Sequence, residues 1–114
     1  MEKQYRLKKN LEIGKIVQKR ICARGRFYTL YYIKSDKPQI AFSVSKKYGN
    51  AVERNYAKRI MREICRPLIT TFPCVKLVIV VKKDAKNANF EILKTDLEKQ
   101  INYICYKETK NEKH

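Results

Sequence analysis

The segment from Ser43 to Arg66 (SVSKKYGNAVERNYAKRIMREICR) constrains this chain more than any other. It reads as the end of a strand, a glycine turn, and a helix with one apolar and one strongly basic side. Gly49 permits the turn, Asn50 is placed to cap the helix, and Glu53 stands three residues later in the capping-box position. The helix must stop before Pro67, because the residue ahead of a proline avoids the helical region. Beyond it, Val75 to Val81 is an apolar run broken only by Lys76, the length of a strand buried on both faces. A strand, a helix and another strand in that order imply a crossover, and therefore a mixed sheet with helices packed on it.

The flanking sequence extends the pattern. Asn10 can cap a first helix carrying Leu11, Ile13, Ile16, Val17 and Ile21 at near-helical spacing, weakened by Gly14. Phe27 to Lys34 is rich in tyrosine and β-formers, and Gln39 to Ser45 alternates Ile40, Phe42 and Val44 with small residues. Between them, Ser35-Asp36-Lys37-Pro38 is turn chemistry, so the two runs read as an antiparallel pair. Asn89 can cap a last helix, in which Phe90, Leu93, Leu97, Ile101, Ile104 and Cys105 recur every three or four residues. The predicted order is α-β-β-α-β-α, an α/β (α+β) fold with a mixed sheet of about four strands. The 114 residues suffice for one domain, 1–106, followed by a lysine-rich frayed tail, 107–114.

Charge narrows the function. Against 27 Lys and Arg stand 11 Asp and Glu, a formal net charge of +16, which destabilises a compact chain by self-repulsion unless a polyanion balances it. A nucleic acid fits better than a membrane surface, because no basic helix carries a Trp or a purely aliphatic insertion face. No apolar run approaches the length needed to cross a bilayer, and no secretory apolar region is present. Cys22, Cys65, Cys74 and Cys105 are widely spaced, and the single histidine is His114, so no zinc pattern forms. They read as buried or half-buried thiols of a reducing cytoplasm. No nucleophile has a histidine partner, and the acids are not clustered as a two-metal nuclease requires. The sequence offers no catalytic or metal-ligating set.

On the central helix, Val52, Tyr56, Ala57, Ile60, Met61 and Ile64 fall within one half at roughly 100° per residue. Arg54, Lys58, Arg62 and Arg66 run down the other side at four-residue intervals, joined by Asn55 and Arg59. Glu53 and Glu63 read as lying toward the apolar side. A solvated face ordinarily mixes signs, since like charges four apart repel, so an unmixed stripe implies an anionic partner. Arginine holds a phosphate bidentately or stacks on a base, which lysine does not. Lys46 and Lys47 extend the patch toward the helix N-terminus, whose amides add a further expected anion site. Asn50 has two readings, as a cap alone or as a ligand. The strand tyrosines Tyr28, Tyr31 and Tyr32 also have two, as core or as stacking platforms for an unpaired strand. Tyr28 and Tyr32 cannot share a face with Tyr31.

With these residues in view, the chain resembles the protein component of bacterial ribonuclease P. The match is Lys46-Lys47-x-Gly49-Asn50-Ala51-Val52-x-Arg54-Asn55-x-x-Lys58-Arg59-x-x-Arg62-Glu63, with Arg6-Leu7-Lys8-Lys9-Asn10 similar to the family's opening. The resemblance implies a two-layer α/β sandwich with a left-handed strand-helix-strand crossover, an exception to the usual hand. It implies an endoribonuclease whose hydrolysis is performed by a catalytic RNA with bound Mg²⁺, the protein assisting removal of the 5′ leader from precursor tRNA. Carried over by position, Lys46, Lys47, Asn50, Arg54, Asn55, Lys58, Arg59 and Arg62 contact RNA, and Arg66 extends their row. Two departures from the pattern stand out. Tyr56 stands where the family carries another arginine, and Ile13 and Val17 stand where its first helix offers aromatics to the leader. The leader cleft is therefore expected among Ile13, Val17, Tyr28, Tyr31 and Tyr32. The competing class is a structural ribosomal protein with no part in catalysis.

Overall fold

The most apolar strand takes the middle of the sheet, and the rest of the architecture follows from that placement. The computed structural model describes residues 10–19 and 21–112. In chain order these form α1 (Asn10–Gln18), β1 (Cys22–Arg24), β2 (Tyr28–Lys34), β3 (Gln39–Val44), α2 (Ala51–Cys65), β4 (Val75–Val81) and α3 (Phe90–Glu112). Short 3-10 helices at Lys46–Tyr48, Arg66–Thr71 and Lys83–Asn87 lie in the connections. The sheet order is β1-β2-β4-β3. β4 pairs antiparallel with β2 and parallel with β3, with Leu30 opposite Ile79 and Ile40 opposite Leu77. β3-α2-β4 is the expected crossover, and the sheet is mixed with four strands.

The predicted hairpin between β2 and β3 does not form. These strands run in opposite directions, as the turn at 35–38 implies, but β4 lies between them. The ladder shows why: the turn residue Ser35 donates its backbone N–H to the Cys74 carbonyl at 2.9 Å, so β2 hands on to the start of β4. A hairpin would have left Val75–Val81 on a sheet edge, with an unpaired backbone row along the chain's most apolar strand. In the centre both its faces are covered. Val75, Leu77, Ile79 and Val81 are buried with α2 and α3, and Val78 is buried with Ile16 of α1. Each such fully buried aliphatic side chain contributes about 1.5–3 kcal/mol.

Two boundaries also shift. α1 ends at Gln18, so Ile21 is no part of its apolar side and is about half exposed. α3 runs to Glu112, through most of the segment expected to fray. From Phe90 onward the sequence contains no glycine or proline to stop a helix, which is the physical reason it continues. Arg6, Leu7, Lys8 and Lys9 of the N-terminal opening lie outside the described residues, as do Lys113 and His114.

Candidate nucleic-acid interface

Helix α2 is anchored by a narrower stripe than its sequence implies. Ala57, Met61, Ile64 and Cys65 are buried, and Ile60 is half-buried. Val52 is 78 % exposed and Tyr56 61 %. Both were expected on the apolar half, but only the middle of that half meets the sheet. From the stripe outward, at roughly 100° per residue, Arg54, Lys58 and Arg62 form one flank and are half-buried. Asn55, Arg59 and Arg66 point away from the core and are exposed. Tyr56 lies on the opposite flank, toward α3.

These cations are poorly neutralised. Among the described residues, Arg54, Lys58, Arg59 and Arg62 have no carboxylate partner. Arg54 Nε is buried and finds no acceptor among those residues, a costly state for a charged donor. Arg66 differs from the rest of its row. Its guanidinium is 3.2 Å from Glu63, and both side chains are more than half exposed. Glu63 thus faces solvent, contrary to its expected place, and neutralises the C-terminal end of the row.

The helix start is capped by its own residues. Asn50 Oδ1 accepts from the Glu53 N–H at 2.9 Å, and Glu53 Oε1 accepts from the Asn50 N–H at 3.1 Å, a complete capping box. Asn50 therefore caps the helix through its side-chain oxygen. Glu53 Oε2 also meets Lys86 Nζ at 2.5 Å, and Lys86 lies 5.9 Å from the Tyr48 ring centroid. Lys86, then the Asn50 amide, hold the Glu53 carboxyl below the usual glutamate range. Burial raises the Tyr48 hydroxyl, opposed by Lys86. A carboxylate thus already stands at the helix start, bonded to the Asn50 N–H just ahead of the first turn. Gly49 has extended backbone rather than a tight-turn conformation. Its requirement is space: a Cβ there would lie 2.6 Å from Glu53 Oε1. Lys46 and Lys47 are exposed on the preceding 3-10 helix, where Ser45 Oγ accepts from the Lys47 N–H. Lys86 was missed by sequence reasoning, and no local signal marks it, since its partner is 33 positions away.

The opposite face of the sheet carries the other predicted residues. Ile13, Val17 and Tyr31 are half-buried around Ile16, Ala41 and Val78, together with Ile33 and Val80. Tyr28 and Tyr32 lie on the α2–α3 face, 0 % and 4 % exposed, and so cannot stack on a ligand. Tyr28 donates its hydroxyl to the Leu93 carbonyl at 3.3 Å, and burial keeps it protonated. The strand alternation was right, and Tyr31 is the tyrosine left beside α1. The cysteines are free thiols, with Cys74 exposed rather than covered. Burial pushes the Cys65 thiol up to about 12, which leaves it unreactive. Among the described residues no three His, Cys, Asp or Glu side chains are grouped to hold a metal, and no helix is long and apolar enough to cross a membrane.

Comparison with known proteins points the same way as the cation row. The family model for Ribonuclease P matches residues 1–105. A ribonuclease P protein component from Mycoplasmopsis synoviae is 33% identical over 100 residues, covering 87% of this chain and 88% of its own length. The fold superposes on a Staphylococcus aureus RNase P protein mutant with defective mRNA degradation activity at a TM-score of 0.82. That pair shares 30% identity, with 91% of each chain covered. The Thermotoga maritima RNase P protein, at 20% identity and a TM-score of 0.76 over 84% of this chain and 94% of its own, shows the same fold.

Proposed function

The chain belongs to the ribonuclease P protein family, and from that premise we propose that it is the RNA-binding subunit of a ribonucleoprotein that removes 5′ leaders from precursor tRNA in the cytoplasm. The observation that carries this reading is the row Arg54, Lys58 and Arg62 with outward Arg59, cations without carboxylate partners among the described residues, flanked by Asn55 on a helix locked into the core. Such a row neutralises phosphates at fixed positions, and each phosphate it takes releases condensed counterions. Arg54, half-buried at the inner edge of the row, offers a guanidinium that can hold a phosphate by charge-assisted bonds. Lys46 and Lys47 continue the positive surface past the helix start.

The face beside α1 is the proposed leader surface. Ile13, Val17 and Tyr31 offer half-exposed apolar and aromatic area, which suits unpaired bases. With aliphatic side chains at two of these positions, contact there is by packing, and Tyr31 is the one stacking group. The described residues present no converging set of metal ligands, and the Mg²⁺ of the reaction is assigned to the RNA partner. The protein's part is binding, orientation and charge neutralisation near the cleaved bond, which lowers the Mg²⁺ concentration the RNA needs.

Cleavage of a precursor tRNA at low Mg²⁺ tests this directly, using a bacterial ribonuclease P RNA alone, the protein alone, and both together. Correct 5′ cleavage in the mixture only is the expected result. Tight RNA binding without stimulation would reject the assignment.

A further inference from the structure

On the flank of α2 facing α3 lies a cavity of about 200 Å³. Met61, Val81 and Leu93 are among the buried residues beneath it, while Tyr48, Tyr56 and Phe90 are the aromatic rings around it. Lys86 is its one cation. Tyr56 and Phe90 are 61 % and 41 % exposed, an unusual state for large side chains beside a well-filled core. The volume exceeds the ~150 Å³ cavity that accepts one benzene and falls short of the ~300 Å³ at which pockets take drug-sized molecules. One planar ring system fits.

Charge and position identify the ring. Tyr56 follows Asn55 in sequence and stands about 60° round the helix from Arg59. A strand lying on the outward cations therefore passes the mouth of the cavity. Exposed aromatic rings beside arginines are the means by which proteins hold unpaired bases, the rings taking the base and the cations the backbone. A second copy of this chain is disfavoured as the occupant, since each carries +16.

We propose that this cavity is a base pocket, taking one unpaired nucleobase extruded from the RNA that lies along α2. Tyr56 and Phe90 supply the stacking surface, and Lys86 exchanges its contact with Glu53 for the neighbouring phosphate. Tyr56 thus performs by stacking what the resemblance expects of an arginine at this position. The proposal rests on the reading of α2 as the RNA-facing helix.

The test is binding of the full-length protein to a bacterial ribonuclease P RNA across a salt series. Wild type is compared with Tyr56→Ala, Tyr56→Phe, Phe90→Ala and Arg62→Ala, each checked by circular dichroism. Tyr56→Ala and Phe90→Ala are expected to weaken binding roughly tenfold with an unchanged salt slope, and Tyr56→Phe to restore it. Arg62→Ala is expected to make the slope shallower by about one. Wild-type affinity in both aromatic variants, with Arg62→Ala impaired, overturns the pocket and leaves the helix reading intact. If Arg62→Ala also binds normally, both readings fall. Photocrosslinking of 4-thiouridine-substituted RNA gives a readout independent of affinity. Crosslinks to peptides containing Tyr56 or Phe90 support the pocket, and crosslinks confined to the α1 face overturn it. Sedimentation that shows Tyr56→Ala dissociating a dimer, with RNA affinity unchanged, assigns the surface to a second copy and overturns it too.

Discussion

Helices α2 and α3 are built alike, each started by an asparagine and each burying a stripe in the same core, yet they treat charge in opposite ways. Asn50 accepts from the Glu53 N–H and Asn89 from the Ile92 N–H, both at 2.9 Å. Met61 and Ile64 of one helix and Leu97 and Ile104 of the other are almost completely buried. On α3, Lys94, Lys99, Lys107 and Lys110 are interleaved with Glu91, Asp96, Glu98, Glu108 and Glu112. On α2, Arg54, Lys58, Arg59 and Arg62 share the helix with Glu53 and Glu63 alone, and both acids are committed elsewhere, to Lys86 and to Arg66. A fold needs the first kind of surface. The second is retained against local repulsion, which is the mark of a partner.

The comparison breaks most visibly if the two stripes are unequal. Met61→Ala and Leu97→Ala should each cost about 2–5 kcal/mol of stability, measured by urea unfolding, because each leaves a cavity in one continuous core. A loss in only one of them would mean that the helices are not equivalent supports. Next in size is the charge test. Arg62→Ala should weaken RNA binding by about 1–3 kcal/mol and leave stability within about 0.5 kcal/mol, whereas Lys99→Ala should move neither.

The caps sharpen the comparison at a smaller scale. Asn50→Ala and Asn89→Ala should each cost about 1 kcal/mol in thermal or urea unfolding. Only α2 should add a pH dependence. Because the folded state holds the Glu53 carboxyl below its usual range, it binds that proton less tightly than the unfolded chain does. The stability it adds is complete above the ordinary glutamate pKa and fades as pH falls through the lower folded value. Glu53→Gln should flatten that part of the acid limb, and an unchanged limb would remove Glu53 from the account. The smallest effect expected is from Glu63→Ala, which frees Arg66 from an exposed ion pair worth about 0–1 kcal/mol. RNA affinity should rise slightly while stability barely changes.

What could be read from the sequence divides along the range of the interactions. The capping box was legible because its partners are three residues apart, and the α3 stripe because its period repeats over many turns. The pairing of β2 was not, since β4 enters from more than thirty positions away and takes the place that local turn chemistry at 35–38 reserves for β3. Alternation correctly separated Tyr31 from Tyr28 and Tyr32, but alternation does not say which face receives two helices. The helical wheel put Val52 and Tyr56 with the core because it divides a helix into halves, whereas the sheet touches only a stripe. Lys86, joined to Glu53 and Tyr48 across the fold, left no trace in local sequence.

The claim that α2, and not the chain's general positive charge, meets RNA is tested most directly by the salt dependence of binding. Full-length wild type would be compared with Arg54→Ala/Lys58→Ala/Arg62→Ala on α2 and with Lys94→Ala/Lys99→Ala/Lys107→Ala on α3, each titrated with a bacterial ribonuclease P RNA. The α2 variant should show a plot of log affinity against log salt that is shallower by about two to three, and the α3 variant the wild-type slope. Equal flattening in both variants, or none in the α2 variant, would contradict the account.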